Sequence, residues 1–120
     1  MKLPGPDHPI TIMPAKSRVR VRFAGKVIAD TTRALVLTEA SYRPVFYIPR
    51  ADAEMSALKR SEHHTHCPYK GDASYFSLEV DGKRVENAAW SYEQPYPAMQ
   101  EIAGRLAFYR DRVEIEALPE

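Results

Sequence analysis

The stretch "ASYFSLEVDGKRVENAAW", residues 73–90, decides the fold class. Its first half alternates apolar side chains with mostly polar ones, a period of two that is typical of a β-strand. The apolar positions are Phe76, Leu78 and Val80, and the alternating positions are Tyr75, Ser77 and Glu79. Asp81-Gly82 follows and favours a two-residue hairpin turn. We predict positive φ at Gly82 and a returning strand, over about residues 84–92, that carries the only tryptophan, Trp90.

The same period continues through most of the chain. "SRVRVRF" (17–23) alternates arginine with apolar residues, and Ala24-Gly25 after it predicts a turn into "KVIAD" (26–30). Further strands are predicted in "RALVLTEA" (33–40), "PVFYIP" (44–49) and "RVEIEAL" (112–118). Two segments break the pattern and predict short helices, residues 51–60 and 96–108. This succession indicates a mostly-β domain, either a sandwich or an open barrel.

Length and composition limit the class of protein further. The 120 residues suit a single domain, which we place at residues 18–118, behind an extended N-terminal arm at residues 1–17. Three prolines before residue 10 do not fit the apolar core of a signal peptide, and a single cysteine excludes an intramolecular disulfide. We therefore expect a cytoplasmic protein of the bacterial type that does not enter a membrane. The net charge of +1 predicts no nucleic-acid partner.

Charge is distributed unevenly between the two halves of the chain. Residues 1–50 contain nine basic and three acidic residues, whereas residues 51–120 contain eight and thirteen. The halves are therefore expected to attract each other, within the fold or across a dimer interface. Arg18, Arg20 and Arg22 share one strand face, which we interpret as a solvated face. The alternatives are an anion-binding or nucleic-acid-binding patch and a homodimer joined through this strand.

Four blocks of sequence resemble a known family. Tyr-Ile-Pro-Arg (47–50), Cys-Pro-Tyr-Lys-Gly (67–71), Trp-Ser-Tyr-Glu-x-Pro (90–95) and Phe-Tyr-x-Asp-Arg-Val (108–113) occur in the order found in the family called domain of unknown function 427. That family is found in bacteria, fungi and plants and is sometimes labelled nucleotidyltransferase-like. The resemblance covers about residues 19–117, nearly the whole chain.

This resemblance implies a compact β-tent fold, in which two antiparallel sheets meet at an angle over a pocket, with one or two short helices. Zinc-binding members of that fold class use paired Cys-x-x-Cys knuckles, which a chain with one cysteine cannot form. The nucleotidyltransferase label finds no support in the residues. The chain has no glycine-rich phosphate loop and no Gly-Ser followed by paired aspartates to hold Mg²⁺.

"HHTHCPYKG", residues 63–71, contains three of the four histidines and the cysteine, and it allows several interpretations. Four zinc ligands within five residues cannot easily reach tetrahedral corners, so we predict no metal and no cofactor. As an enzyme, the chain would use Cys67 as a nucleophile with Lys70 three residues away, and these two are its candidate catalytic residues. The simplest interpretation is a structured turn, set by Pro68 and by positive φ at Gly71.

A further interpretation gives the turn a role in binding. Aromatic residues and cations are concentrated in the recurrent blocks, and such a combination suits a small anionic or planar ligand. The candidate ligand-binding residues are Tyr47, Arg50, Tyr69, Trp90 and Tyr92. Plain core packing is the alternative for Trp90 and Phe76. For the chain as a whole, a structural or protein-interaction module that forms a homodimer is the alternative to ligand binding.

Overall fold

A computed structural model describes residues 1–119, in which ten strands form three antiparallel sheets. The strands are β1 (Ile10–Pro14), β2 (Ser17–Phe23), β3 (Lys26–Thr31), β4 (Leu35–Glu39), β5 (Val45–Tyr47), β6 (Leu58–Cys67), β7 (Gly71–Val80), β8 (Lys83–Ser91), β9 (Ala107–Phe108) and β10 (Glu114–Pro119). We name each sheet after an inner strand. The β4 sheet has the order β1-β4-β5, the β2 sheet β10-β2-β3, and the β7 sheet β6-β7-β8-β9. The predicted mostly-β class is confirmed.

β7 is buried on both of its faces, and this explains why there are three sheets rather than the predicted two. One face places Phe76 and Leu78 in a core that also contains Val19 and Val21 of the β2 sheet. The other face packs Tyr75 in a second core, against the β4 sheet. The alternation was predicted correctly, but the face of Tyr75 and Ser77 was expected to be the polar one, and both residues are buried. Each face of β7 is therefore covered by a different sheet, the β2 sheet on one side and the β4 sheet on the other.

Both predicted hairpin turns are confirmed. Asp81 and Gly82 have φ of 49° and 78°, and Ala24 and Gly25 have φ of 53° and 78°. Positive φ at both central residues is the signature of the type I′ turn, whose twist matches that of the strands it joins. The β7–β8 hairpin therefore forms as its sequence dictates.

The predicted N-terminal arm is part of a sheet rather than separate from the domain. Residues 10–14 form β1, which pairs with β4 from Ile10 opposite Glu39 to Pro14 opposite Leu35. Before β1, the backbone N–H of Lys2 donates to the carbonyl of Pro68, at 2.8 Å. The segment thus crosses the turn that joins β6 to β7. The prediction of a separate arm relied on the prolines, but proline permits extended backbone and is tolerated in an edge strand such as β1.

The predicted short helices are present as 3₁₀ helices. At the first, predicted for residues 51–60, 3₁₀ turns occupy Arg50–Asp52 and Met55–Ala57, and the remainder enters β6, where backbone pairing with β7 replaces helical hydrogen bonds. Within residues 96–108, a 3₁₀ helix covers Pro97–Ile102 and departs from helical geometry at Met99. Gly104 follows with φ of 72°, so the chain cannot continue as a helix. Within residues 1–119, no helix is long and apolar enough to cross a membrane.

The arginines of β2 are paired inside their own sheet. The Nε of Arg18 lies 2.7 Å from Oδ1 of Asp30 on β3, and the Nε of Arg22 lies 2.7 Å from Oε1 of Glu116 on β10. The second pair joins the basic and acidic halves within the fold, as charge distribution predicted. β2 is the middle strand, with both edges hydrogen-bonded, so it offers no free edge for the predicted homodimer contact.

Candidate functional site

A cavity of about 220 Å³ lies between the β4 sheet and the β7 sheet. Its walls are mainly aromatic, with three charged residues among them. The lining residues are Leu37, Glu39, Tyr42, Arg43, Val45, Tyr47, Lys70, Tyr75, Trp90, Tyr92 and Tyr109. β4, β5 and the loop between them supply the first six residues of this set. β7, β8 and the residues next to them supply the following four, and Tyr109 comes directly after β9. The cavity is therefore built where the second core is incompletely filled.

Local strand geometry explains how the aromatic residues reach the cavity. Trp90 and Tyr92 are two residues apart at the end of β8, so they point to the same side. Tyr75 lies opposite Trp90 in the β7–β8 register. Tyr109 packs against Trp90, with ring centroids 4.5 Å apart. Cross-strand aromatic pairs of this kind stabilise a sheet and also form a wall for a ligand.

Hydroxyl groups connect the aromatic side chains. The hydroxyls of Tyr75 and Tyr109 lie 3.1 Å apart, and Thr65 lies 3.1 Å from the same Tyr75 hydroxyl. On the opposite side, the indole N–H of Trp90 donates to the Tyr47 hydroxyl, at 3.4 Å. The rings are thereby fixed in position and offer polar groups beside apolar faces.

Three phenols of the cavity, those of Tyr47, Tyr92 and Tyr109, remain protonated at neutral pH. Burial raises the pKa of Tyr47 and of Tyr92 far above the usual tyrosine value. Burial and the hydrogen bond with Tyr75 raise the pKa of Tyr109 to about 12. A protonated phenol can donate a hydrogen bond, so the lining offers donors to an acceptor on a ligand.

One half-buried carboxylate in the cavity wall connects two basic groups. Oε1 of Glu39, the last residue of β4, accepts a hydrogen bond from Nζ of Lys70, and Oε2 lies 2.7 Å from Nε2 of His8. Burial alone would raise the pKa of Glu39, but the hydrogen bonds from Lys70 and His8 outweigh it and lower the pKa. Lys70 is only 9% exposed, and its Nζ lies 5.8 Å from the centre of the Tyr92 ring. The ion pair therefore faces the cavity from its wall.

A second cation lies at the mouth of the cavity. Arg43 is exposed, and within residues 1–119 it forms no ion pair. Arg110 lies close by: partial burial, together with the charge of Arg43, lowers the pKa of the Arg110 guanidinium. Arg110 donates to the carbonyl of Pro44 and lies over the ring of Phe46. Two neighbouring arginines give the mouth a positive potential.

The structure brings four of the predicted site residues together and leaves three outside the cavity lining. Tyr47, Lys70, Trp90 and Tyr92 line the cavity. Tyr69 instead stacks on the ring of His8, with centroids 4.1 Å apart, and so helps to position the partner of Glu39. Cys67 is a half-buried member of the second core, opposite Gly71. Gly71 has φ of 110°, which agrees with its predicted role in the turn.

The predicted pairing of Lys70 with the Cys67 thiol is replaced by the ion pair with Glu39. The sequence could not indicate this, because the carboxylate comes from β4, at a sequence separation of 31 residues. A carboxylate is a stronger partner for an ammonium group than a thiol is. The three-residue spacing of Cys67 and Lys70 thus did not indicate the partner of the lysine, and a nucleophilic role for Cys67 stays a prediction.

Arg50 belongs to a different cluster, which corrects its predicted place in the pocket. Its guanidinium donates to the carbonyl of Gly104 at 2.6 Å, to Ser91 at 3.1 Å and to Glu93 at 2.9 Å. Arg60 donates to both carboxylate oxygens of Glu93. The hydrogen bond from Arg60 is the largest cause that lowers the pKa of Glu93 to about 2, and hydrogen bonds from Ser74 and then Arg50 add to it against the opposing effect of burial. Arg50 thus joins two of the recurrent blocks and holds their strands together.

The histidines that suggested a metal site are spread along the exposed β6. Nδ1 of His66 lies 2.6 Å from Oδ1 of Asp72, opposite it on β7, and the ring of His63 meets that of Tyr75 edge-on. In the described part of the chain, residues 1–119, no three His, Cys, Asp or Glu side chains are grouped suitably for a metal ion. The histidine-rich stretch is therefore an edge strand with local partners.

Sequence reasoning missed several residues of the cavity. Glu39, Tyr42, Arg43 and Tyr109 line it without having been selected, and His8 supports it from the segment interpreted as an arm. Tyr109 occurs in the recurrent block at residues 108–113. In the structure, the guanidinium of Arg112 lies over the Tyr109 ring and donates to the carbonyl of Asn87. The recurrence of that block in the family was the one feature of the sequence that could have indicated Tyr109.

Comparison with known proteins agrees with the resemblance in the sequence. None of the curated proteins with which the chain was compared matches it. Residues 11–118 match a family model described as "Domain of unknown function (DUF427)". The match begins within β1 and extends into β10, so it includes all three sheets and the cavity between two of them. On this match, the chain belongs to the DUF427 family.

Proposed function

We propose that this protein binds a small planar anion in the cavity between the β4 sheet and the β7 sheet. The observation that carries the proposal is an aromatic cavity whose mouth holds Arg43, a cation that forms no ion pair with any other of residues 1–119. Binding sites for small molecules are typically concave and largely apolar, with a few polar groups that orient the ligand. The proposal includes a cytoplasmic location, since a chain with one cysteine needs no oxidising compartment.

Cavity size favours a ligand with one ring. The volume of about 220 Å³ is below the range of about 300–1,000 Å³ that is common for ligands of drug size. It exceeds the roughly 150 Å³ that accommodates benzene in an engineered apolar cavity. A nucleoside triphosphate is therefore too large to be enclosed, which argues against the nucleotidyltransferase-like label.

The balance of charge favours an anion over a cation. Aromatic cages often bind cations, but here Lys70 already occupies that position beside Tyr92 and neutralises Glu39. Among the described residues, Arg43 is then the charged group of the cavity lining that has no ion-pair partner, and Arg110 adds to the positive potential at the mouth. A carboxylate or sulfonate on the ligand would pair with Arg43 while its ring lies among the tyrosines and Trp90.

Trp90 allows a direct test, because it is the only tryptophan and lines the cavity. We expect 4-hydroxybenzoate to change Trp90 fluorescence in a saturable manner. 4-Hydroxybenzamide, which has nearly the same shape without the charge, should bind about tenfold or more weakly, because it loses a charge-assisted hydrogen bond. Equal affinities, or no saturable signal with a panel of monocyclic aromatic anions, would refute the proposal.

Substitutions of two arginines test whether Arg43 is the cation that pairs with the anionic group of the ligand. Arg43→Gln should weaken 4-hydroxybenzoate binding about tenfold and leave the weaker binding of the benzamide unchanged. Arg84→Gln is the matched control, since Arg84 is also a partly exposed arginine but lies on β8, where its partners are Glu79 and Glu86. An equal effect of the two substitutions would indicate a nonspecific influence of net charge.

A further inference from the structure

The Lys70–Glu39–His8 cluster suggests more than binding. Lys70 is the one lysine of the described residues that is buried, whereas Lys2, Lys16, Lys26, Lys59 and Lys83 are exposed. Its amine lines the cavity and has one hydrogen-bond partner, the Glu39 carboxylate. Glu39 in turn contacts His8, whose side chain is 25% exposed. The three side chains thus form a continuous hydrogen-bonded path from the cavity wall to solvent.

We propose that Lys70 forms a reversible Schiff base with a planar aldehyde or ketone that also carries an anionic group. The inference rests on the proposed function, since Arg43 would hold the anion and the aromatic walls the conjugated ring. Lysines that act in this way are typically enclosed and adjacent to a group that can accept and return a proton. Glu39 provides that group, and His8, fixed by stacking on Tyr69, positions it.

The reaction is balanced without any additional reagent. Lys70 transfers a proton from Nζ to Glu39, and the resulting free amine attacks the carbonyl carbon, so that a C–N bond forms and the C=O π electrons move to oxygen. One of the two protons left on Nζ moves to this oxygen and gives the neutral carbinolamine, and Glu39 then donates its proton to the hydroxyl, so that the C–O bond breaks as water leaves. The product is a protonated imine between Nζ and the former carbonyl carbon, beside the restored Glu39 carboxylate. His8, hydrogen-bonded to the other oxygen of Glu39, keeps the carboxyl group oriented towards Lys70 during both proton transfers.

The experiment traps the imine with 4-formylbenzoate and sodium cyanoborohydride in the full-length protein. Peptide mass mapping then measures how much reduced adduct each lysine carries. We expect Lys70 to carry at least about tenfold more than each exposed lysine at low occupancy, because binding holds the aldehyde against the amine. The exposed lysines of the same chain are the internal reference. Equal labelling of all lysines would overturn the inference.

4-Methylbenzoate separates failure of this inference from failure of the proposed function. It resembles the aldehyde in size and charge but cannot form an imine, and its binding is followed through Trp90. Saturable binding of 4-methylbenzoate together with unselective labelling would overturn the Schiff base and leave ligand binding intact. Absence of both saturable binding and selective labelling would overturn both.

Two variants complete the test. Lys70→Arg keeps a cation for Glu39 but cannot form an imine, so it should lose the selective adduct. Glu39→Gln should slow labelling of Lys70 about a hundredfold through loss of proton transfer. Glu79→Gln, which removes an exposed carboxylate on β7, should leave the rate unchanged. An unchanged labelling rate in folded Glu39→Gln would show that Glu39 has no part in the reaction.

Discussion

Glu39 and Glu93 have similar sets of partners but lie in different surroundings. Each carboxylate joins two basic side chains: Lys70 and His8 in the first case, Arg60 and Arg50 in the second. Glu39 and Lys70 are 15% and 9% exposed and face an aromatic cavity. Glu93 and Arg60 are 31% and 53% exposed. Water can therefore screen the second cluster much more than the first.

The basic residues that pair with the two carboxylates differ as well. Arginine can hold a carboxylate through two parallel hydrogen bonds and does not give up its proton, which suits a structural tie. Lysine and histidine can exchange protons, and the cavity places a lysine next to open space. We infer that the Glu93 cluster fixes the strands, whereas the Glu39 cluster is available for ligand chemistry. The following predictions test this contrast, starting with the largest expected effect.

Glu39→Gln should lower the free energy of unfolding by about 3 kcal/mol, because it leaves the Lys70 ammonium buried without a counter-charge. Urea denaturation measures the change. The double variant Glu39→Gln/Lys70→Met should recover most of the loss, to within about 1 kcal/mol of the wild type, since it removes the uncompensated charge. A single variant as stable as the wild type would mean that water solvates Lys70 through the cavity.

Glu93→Gln should cost less, about 1–2 kcal/mol, because Arg50 and Arg60 are partly hydrated and retain some hydrogen bonding to the amide. The same urea experiment applies. Binding of 4-hydroxybenzoate should remain within about twofold of the wild type, since Glu93 does not line the cavity. A loss of binding as large as that of Arg43→Gln would contradict the separation of the two clusters.

Acidification should remove the contribution of Glu93 to stability over a defined range of pH. The folded pKa of Glu93, about 2, is below its ordinary value of 4.5, so the unfolded chain binds the proton more tightly. The contribution is complete above pH 4.5 and decreases as pH falls from there towards 2. Urea midpoints measured at several pH values should show the wild type and Glu93→Gln converging over this range. A constant difference would show that Glu93 is not ion-paired in solution.

Arg60→Gln should have the smallest effect, under about 0.5 kcal/mol, because more than half of its side chain is exposed and surface ion pairs contribute little. Arg50→Gln is the informative comparison. It should cost more, since Arg50 also donates to Ser91 and to the carbonyl of Gly104. Equal losses of unfolding free energy would indicate that Arg50 stabilises the fold only through Glu93, and not through its hydrogen bonds to Ser91 and Gly104.

The sequence predicted those parts of the molecule that depend on local geometry. The alternation in residues 73–80 and the Asp81-Gly82 turn are set by neighbouring residues, and both appear as expected. The aromatic blocks also identified four residues of the cavity. The Glu39 cluster could not be predicted, because its partners come from an N-terminal segment, the end of β4 and the β6–β7 turn. Only the tertiary packing of three sheets brings these segments together.

β7 contributes side chains to both cores, and this has a consequence for cooperativity. Separation of either neighbouring sheet would expose one face of β7 and weaken the strand that the other core requires. Partial unfolding should therefore be unfavourable, and the domain should melt in a single two-state transition. An occupied cavity would then stabilise the whole domain through linkage, by about 2.7 kcal/mol at a ligand concentration of a hundred times Kd. A compound library could accordingly be screened by melting temperature alone, with even the remote β2 sheet reporting occupancy.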